Sequence, residues 1–318
     1  MSFGRILTAM VTPMNEALEV DYEEGKRLAQ YLVGHGSDGV VVGGTTGESP
    51  TVTDNEKVEL FKVVKAALGS KYTVIAGIGT NSTDSSIKLA RQAATTGVDG
   101  LMAVVPYYNK PSQEGMFQHF KAIAEATSLP LMLYNVPGRT SANLMPETVK
   151  RLAEIPNIVA IKEAAGSLDQ VSELKRMLPT EFEVYSGDDS MTLPMLALGC
   201  SGIISVAAHI VGDEMKEMID AWFDGNATLA TKWHLDLFPI FKGIFVTANP
   251  VPIKALMNMI GIKAGGVRLP LVQATPVEMK FLKDLINEFR KAHARSNNGV
   301  EAITELKVAS EKSSDISV

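Results

Sequence analysis

A lysine ends a short apolar segment that runs from Ile158 to Lys162. Because side chains alternate along a strand, Ile158, Ala160 and Lys162 are predicted to share one face, with Val159 and Ile161 on the other. Two apolar faces are typical of a parallel sheet that is covered on both sides. An ammonium group there loses hydration, so the neutral amine becomes more accessible and could form a Schiff base with a carbonyl compound. The alternative is a lysine that reaches water and has no chemical role.

A tyrosine, Tyr134, ends the apolar run that precedes the lysine segment. Neighbouring strands of a sheet lie about 4.8 Å apart, so a phenol and an amine that both point inward would share one pocket. A phenol in that position can shuttle protons while an imine forms. Arg139 follows in the next loop. Its guanidinium group could bind a substrate carboxylate through two hydrogen bonds, and the alternative is a solvated surface arginine.

Two further motifs follow apolar runs and carry hydroxyl groups. The first spans 43–49 (GGTTGES). Its glycines let the backbone approach a ligand, and Thr45 and Thr46 could bind a carboxylate or pass a proton. The second spans 106–111 (PYYNKP) and places two tyrosines in a chain with only 6% aromatic residues. The alternatives are an ordinary loop for the first motif and an aromatic interface or lid for the second.

Eight short apolar runs, each followed by a turn and a helical pattern, predict the elements that position these residues. The runs are 6–11, 39–42, 72–76, 101–105, 131–134, 158–162, 182–185 and 203–206. Strands and helices that alternate eight times over about 225 residues are typical of an α/β protein with a (β/α)8 TIM barrel, whose active site lies at the C-terminal ends of the strands. An open doubly wound sheet is the alternative, but its glycine fingerprint does not follow the first run.

The strand signals stop after about Gly225. Helical patterns follow over 227–241, 250–260 and 276–292, and we expect these helices to pack on the barrel. The predicted division is a catalytic barrel over 1–225, C-terminal helices over 226–294 and a polar tail over 295–318. The tail is rich in Ser, Asn, Glu and Lys, which predicts disorder.

Composition limits the class of function. The net charge of −6 and the pI near 5.5 argue against nucleic acid or an anionic membrane as the main partner. The single cysteine, Cys200, excludes an internal disulfide, and its apolar neighbours predict a buried thiol. The N-terminus has no signal-peptide core and no apolar run reaches membrane-spanning length, so a soluble cytoplasmic protein is expected.

Other kinds of site find little support in the sequence. The five histidines are scattered without metal-ligand spacing. There is neither a Walker-type loop nor a Gly-x-Ser-x-Gly elbow. Asp188 and Asp189 could form a paired-carboxylate site, but the apolar helical run after them favours a helix N-cap. What remains is a lysine, tyrosines, threonines and an arginine without a metal, which fits imine chemistry on a keto acid.

Together these motifs resemble the dihydrodipicolinate synthase family of pyruvate-dependent, class I aldolase-type enzymes. The resemblance covers about 4–285 and rests on the motifs at 43–49, 106–111, 134–140 (YNVPGRT) and 161–163 (IKE), with 186–188 and 202–206 also matching. It implies a lyase that condenses pyruvate with L-aspartate-4-semialdehyde to give 4-hydroxy-tetrahydrodipicolinate, in the diaminopimelate route to lysine. It implies no metal and no organic cofactor.

The resemblance also implies catalytic roles at individual positions. Lys162 would form the Schiff base with pyruvate. Tyr134 would be the proton donor and acceptor. Thr45 and Tyr108 would complete a proton relay with it.

Substrate-binding roles are implied in the same way. Thr46 would hold the pyruvate carboxylate, with Ile204 and Gly187 close to the bound substrate, and Arg139 would bind the carboxylate of the semialdehyde. In the family Tyr108 reaches into the neighbouring subunit's site, which implies at least a dimer and usually a homotetramer built as a dimer of dimers.

One region departs from the family members that lysine inhibits strongly. Those members tend to carry histidines in the helix after the Thr-Thr loop and a glutamate after the third strand. The matching positions here are Asp54, Lys57 and Ser85. We therefore hypothesise weak or absent inhibition by lysine.

Two alternative functions are weighed against this interpretation. N-acetylneuraminate lyase and keto-sugar-acid aldolases share the lysine and the tyrosine but usually lack the Gly-Arg-Thr found here at 138–140. A non-catalytic pyruvate-binding barrel is disfavoured by the intact set of Lys162, Tyr134, Thr45 and Tyr108.

Overall fold

A computed structural model describes residues 3–292, and eight parallel strands in it close into a barrel in sequence order. The strands are β1 (Ile6–Ala9), β2 (Gly39–Val42), β3 (Thr73–Gly77), β4 (Gly100–Val104), β5 (Leu131–Asn135), β6 (Ile158–Glu163), β7 (Glu183–Ser186) and β8 (Gly202–Ser205). Strand β1 pairs with both β2 and β8, which closes the ring. The predicted (β/α)8 barrel is confirmed.

Helices surround this ring and continue beyond it. They are α1 (Tyr22–Gly34), α2 (Asp54–Leu68), α3 (Thr83–Ala94), α4 (Gln113–Ala124), α5 (Pro137–Thr140), α6 (Pro146–Leu152), α7 (Leu168–Met177), α8 (Thr192–Ala197), α9 (Ala208–Phe223), α10 (Ala227–Gly243), α11 (Val251–Met259) and α12 (276–292). The last three confirm the predicted C-terminal helices. Helix α10 packs against α9 and α8, and α11 packs against α9. The predicted disorder of the polar tail concerns residues outside the described range.

Two apolar layers hold the barrel together. The inner layer fills the ring with side chains such as Leu7, Val41, Ile75, Met132 and Tyr185, while the outer layer lies between strands and helices. A barrel of eight strands is just wide enough for its own side chains to fill. The inside of the ring is therefore a packed core, and ligands have access only at its ends.

The predicted alternation along β6 is wrong at its start. Leu131 pairs with Ile158 but Met132 pairs with Ala160, so β6 contains one extra residue, Val159. Ile158 consequently belongs to the outer layer, while Ala160 belongs to the inner one. A bulge of this kind shifts the side-chain alternation by one position. Beyond it, Lys162 has the inward direction that the alternation from Ala160 requires.

Local hydrogen bonds set where the helices begin. Thr53 and Glu56 form the predicted capping box at α2. The box predicted from Ser167 and Gln170 is only half formed: Ser167 Oγ accepts from the backbone of Gln170, but the Gln170 side chain donates instead to Glu163 and to Asn143. The Gln170 side chain therefore binds the end of β6 and the 143 loop instead of capping its own helix.

No helix within residues 3–292 combines the length and the apolar character that crossing a membrane would require.

Candidate active site

Tyr134 and Lys162 face each other directly across β5 and β6. They are register partners in the barrel, and Lys162 Nζ lies 4.3 Å from the centroid of the Tyr134 ring. Each residue is only 5% exposed. The two groups that the sequence placed on neighbouring strands are thus in one apolar environment at the C-terminal ends of the strands.

The surroundings of Lys162 favour its neutral amine. Burial lowers the pKa of Lys162 from 10.5 to about 8. The negative charge of Asp189 acts in the opposite direction, and the positive charge of Arg139 adds to the lowering. At a pKa of about 8, roughly one molecule in ten carries the neutral amine at pH 7, against fewer than one in a thousand at the ordinary lysine value. The nucleophile that imine formation needs is therefore available near neutral pH.

Asp189 is the buried acid near this lysine. Its carboxylate accepts hydrogen bonds from the Ser205 hydroxyl and from the backbone N–H groups of Val206 and Ala207. Burial raises the pKa of Asp189 to about 6, while these bonds act against that rise. The predicted N-cap is confirmed for Asp188, which accepts from Ser190 at the start of a 3-10 turn. Asp189, in contrast, ties that turn to the end of β8.

Tyr134 is connected to the 43–49 motif. Burial raises the pKa of Tyr134, whereas the charge of Arg139 and a side-chain hydrogen bond with Thr45 lower it. A hydrogen bond between two hydroxyl groups offers a route along which a proton can pass from one to the other. Thr45 and Tyr134 are therefore joined by a hydrogen bond, and the Lys162 amine lies over the face of the same phenol ring.

A cavity of about 230 Å³ opens beside this set. Thr45, Tyr134 and Arg139 line it, together with Tyr107 and the glycines at 43, 44, 77 and 79. A Cβ atom at Gly77 would collide with the backbone of Gly43, and one at Gly79 with the backbone of Val104, so these glycines let the wall of the cavity pack closely. Thr46 is buried next to Thr45, and its hydroxyl accepts a hydrogen bond from Asn249. The cavity suits a small anionic substrate.

Tyr108 lies apart from the other predicted residues. Its side chain is 89% exposed, and its backbone has a φ of +71°. A tyrosine rarely adopts a positive φ, so the loop must hold this residue in an unfavourable conformation. Within a single chain, the structure places Tyr134, Thr45 and Arg139 around one cavity and Lys162 over the Tyr134 ring, while Tyr108 does not line that cavity.

Gly187 follows β7 and lies against the lysine, whereas Ile204 lies two strands away from it, on β8. A Cβ atom at Gly187 would lie 3.1 Å from Lys162 Cε and 2.8 Å from the Ala164 side chain. Glycine is therefore needed here for space rather than for backbone freedom. Ile204 lies on β8 within the inner layer, with Leu7 as its register partner.

Sequence reasoning missed a buried polar group behind the two central strands. Glu163, the residue after Lys162, accepts hydrogen bonds from the Asn135 side chain at 3.0 and 3.2 Å, from the Ala165 backbone and from the Gln170 side chain. Asn135 follows Tyr134 and also bonds the Asn143 side chain. Since Asn135 and Glu163 are register partners, this network fixes the strand ends that carry the tyrosine and the lysine. The only signal in the sequence was a carboxylate beside a lysine.

The model of the Dihydrodipicolinate synthetase family matches residues 2–289. The chain belongs to this family. The 4-hydroxy-tetrahydrodipicolinate synthase of Desulforamulus reducens is 60% identical over 288 residues, which cover 90% of this chain and 97% of that protein.

Solved structures of dihydrodipicolinate synthases share the fold. The Bacillus anthracis enzyme superposes with a TM-score of 0.89 at 48% identity, covering 90% of this chain and 98% of that one. The enzyme from Cyanidioschyzon merolae, solved with lysine bound, has a TM-score of 0.89 at 46% identity with the same coverage. Nearly the whole length of each relative is therefore present in this family member.

The depressed pKa of Lys162 predicts how imine formation depends on pH. Below about pH 8 the rate should rise about tenfold per pH unit, because each unit multiplies the fraction of neutral amine by about ten. Above pH 8 it should level off. The measurement is the initial rate of adduct formation with pyruvate, followed by borohydride trapping between pH 6 and 10. A rate that continues to climb to pH 10 would mean that the lysine titrates like a free one.

Proposed function

We propose that this chain is a 4-hydroxy-tetrahydrodipicolinate synthase, a lyase that condenses pyruvate with L-aspartate-4-semialdehyde through a Schiff base on Lys162. The observation that carries the proposal is the buried Lys162 amine held 4.3 Å from the centre of the Tyr134 ring, next to a small cavity that Tyr134, Thr45 and Arg139 line. Family membership and relatives of that name at up to 60% identity support the same activity. Of the described residues, we assign 3–225 to the catalytic barrel and 226–292 to its helical extension.

The first half of the reaction forms the imine. The neutral Lys162 amine attacks the C2 carbonyl of pyruvate, and Tyr134 donates a proton to the oxygen, which leaves as water. The iminium group withdraws electrons from the neighbouring methyl carbon, so that carbon loses a proton at modest cost and an enamine forms. Thr45, hydrogen-bonded to Tyr134, returns the phenol to its starting protonation state together with Tyr108 of a neighbouring subunit.

The second half makes the new carbon–carbon bond. The enamine carbon attacks the aldehyde of the semialdehyde, whose oxygen takes up a proton. The substrate's own amine then attacks the imine carbon, closes the ring and releases the Lys162 amine. In this mechanism Thr46 holds the pyruvate carboxylate, with Gly187 and Ile204 against the bound substrate. Arg139, at the rim of the cavity, binds the carboxylate of the semialdehyde.

A coupled assay tests the proposed function directly. The purified protein is given pyruvate and aspartate-4-semialdehyde, and product formation is followed through its enzymatic reduction. Parallel assays use pyruvate with N-acetylmannosamine, the pair that N-acetylneuraminate lyase joins. Turnover of the first pair alone is expected. Turnover of only the sugar would overturn the proposal in favour of another pyruvate aldolase, an alternative that the named relatives do not favour.

Removal of the Arg139 guanidinium should separate the two halves of the reaction. In Arg139→Ala, kcat/KM for the semialdehyde should fall by about 100-fold or more, since charge-assisted contacts to a carboxylate are among the strong ones. The trapped pyruvate adduct should still form. Arg151, an exposed arginine on α6, provides a control when changed to alanine. Equal loss of trapping and condensation in Arg139→Ala would contradict the assigned role.

Lysine is expected to inhibit weakly or not at all. Lys57 is 4% exposed, and its Nζ lies 3.7 Å from the Asp54 carboxylate. Lys57 occupies one of the positions that distinguish the family members inhibited by lysine. A buried cation at that position would repel the ammonium groups of a bound lysine. A titration of the condensation rate with L-lysine measures this, and inhibition at submillimolar lysine would contradict it. The double variant Lys57→His with Ser85→Glu should gain sensitivity.

The exposed Tyr108 supports an oligomer as the active form, and we propose a cytoplasmic homotetramer arranged as a dimer of dimers. A partner that covers Tyr108 would also place its phenol in the neighbouring site.

A further inference from the structure

We propose that Asn249 is a positioning residue for pyruvate: its side-chain amide holds the Thr46 hydroxyl so that the O–H group is free to donate to the substrate carboxylate. The inference rests on the proposed function, because it assigns a partner to the residue that binds pyruvate there. It adds a residue from the C-terminal extension to a site otherwise built from the barrel.

The contact between the two side chains is direct and buried. Asn249 Nδ2 donates to Thr46 Oγ1 at 3.0 Å, and the two residues are 6% and 2% exposed. A threonine hydroxyl has one hydrogen and two lone pairs. Because the Asn249 N–H group already donates to one lone pair of the Thr46 oxygen, the hydroxyl hydrogen is left to donate to a ligand. A carboxylate accepts hydrogen bonds and donates none, so this is the arrangement it requires.

The other end of the same amide points to a functional requirement. Asn249 Oδ1 is buried and has no hydrogen-bond partner among the described residues. Buried polar atoms are nearly always paired, so an unpaired one needs a reason. Turning the amide by half a turn would place its oxygen on Thr46 and make the threonine an acceptor toward the substrate. The orientation present leaves an acceptor unpaired and keeps the threonine as a donor.

A buried frame keeps Asn249 and Thr46 in register. Two residues beyond Thr46, Glu48 pairs with Lys254 at 2.7 Å, with side chains 1% and 2% exposed. Lys254 Nζ also donates to the carbonyl of Gly266, and the second Glu48 oxygen accepts from the backbone of Arg268. The 43–49 motif and the segment 249–268 are thus joined at several points. Because these contacts fix both segments, the Asn249 amide has little freedom to move away from the Thr46 hydroxyl.

The test compares pyruvate KM in variants of Asn249. Asn249→Asp puts a carboxylate against Thr46; it would accept from the hydroxyl and repel pyruvate, so the KM for pyruvate should rise roughly 100-fold. Asn249→Ala should raise it roughly tenfold. In both, kcat at saturating pyruvate and the KM for the semialdehyde should change less than threefold. Asn287→Asp, at an exposed position on α12, makes the same charge change and should leave the KM for pyruvate at the value of the parent protein.

A double-mutant cycle with Thr46 separates positioning from a general structural effect. If Asn249 acts through the hydroxyl, Asn249→Ala should add less than twofold to the KM increase of Thr46→Val, because the group it positions is already gone. Thr46→Ser, which keeps the hydroxyl, should preserve the response to Asn249→Ala. If Asn249→Ala does not fold, the neutral variant Asn249→Ser takes its place in the same cycle with Thr46→Val, because a charged replacement would also repel pyruvate directly.

Two results would overturn the inference while leaving the proposed function intact. One is a parent protein that traps pyruvate and condenses it, with Asn249 variants whose pyruvate KM is unchanged. The other is full additivity in the cycle. Absence of a trapped adduct in the parent protein would instead refute the proposed function itself.

Discussion

Lys162→Ala should abolish condensation and the trapped pyruvate adduct together, with kcat falling by at least about four orders of magnitude, as when a covalent nucleophile is removed. Lys162→Arg should be equally inactive. A guanidinium group retains the positive charge but stays protonated, so it cannot attack a carbonyl. The measurement is the coupled assay, with borohydride reduction in the presence of pyruvate followed by peptide mapping.

Lys150, which is exposed on α6, provides the matched control for this experiment. Lys150→Ala should trap pyruvate at the parent level, and the modified peptide should contain residue 162 in both proteins. A pyruvate adduct on any other lysine, or condensation by Lys162→Arg, would refute the covalent mechanism. Circular dichroism of each variant establishes that the barrel has folded.

Loss of Lys254 should be the most damaging single change to stability. In Lys254→Ala the free energy of unfolding should fall by about 3–5 kcal/mol, because a buried Glu48 carboxylate loses its partner. Burial lowers the pKa of Lys254 and the charge of Glu48 opposes that shift, so the ion pair persists because its members offset each other's desolvation. That decrease is a large fraction of the roughly 5–15 kcal/mol that stabilises most folded proteins. Denaturant titration with two spectroscopic probes measures it.

The double variant Glu48→Gln with Lys254→Met distinguishes a lost ion pair from a lost side chain. With neither charge present, most of the stability should return, since replacing both members of a buried pair is often close to neutral. Lys280→Ala, which breaks an exposed pair with Asp284 on α12, should leave the unfolding midpoint unchanged. A Lys254→Ala protein as stable as its parent would show that Glu48 finds another partner or takes up a proton.

The elements themselves could be predicted from the sequence because their signals are local. Apolar runs of four to six residues, separated by helical patterns, identified all eight strands, and capping residues such as Thr53 identified where helices begin. The site could be anticipated for a related reason. A parallel barrel gathers the C-terminal ends of its strands at one face, so residues such as Tyr134 and Lys162, which end consecutive strands, must be close neighbours.

Contacts that depend on precise distances were beyond prediction from the sequence. The extra residue in β6 has no composition signal, because Val159 is as apolar as its neighbours, and its effect is a change in pairing. Gln170 has the spacing of a capping residue, but its side chain bonds Glu163 because folding brings that buried carboxylate within reach. The local sequence favours a hydrogen bond from the Gln170 side chain to the start of its own helix, but in the tertiary structure that side chain bonds Glu163 instead.

By itself, the sequence determined the strands, the helices, the family and the residues that end the strands, because each of these is encoded within a few consecutive positions. Only the tertiary structure decided what surrounds those residues. Asn249 and Thr46 are separated by 203 positions, and Lys254 and Glu48 by 206. No periodic pattern links residues so far apart. Such partners are chosen by where packing brings the C-terminal segment against the 43–49 motif, and by the cost of leaving a buried charge or hydroxyl unpaired.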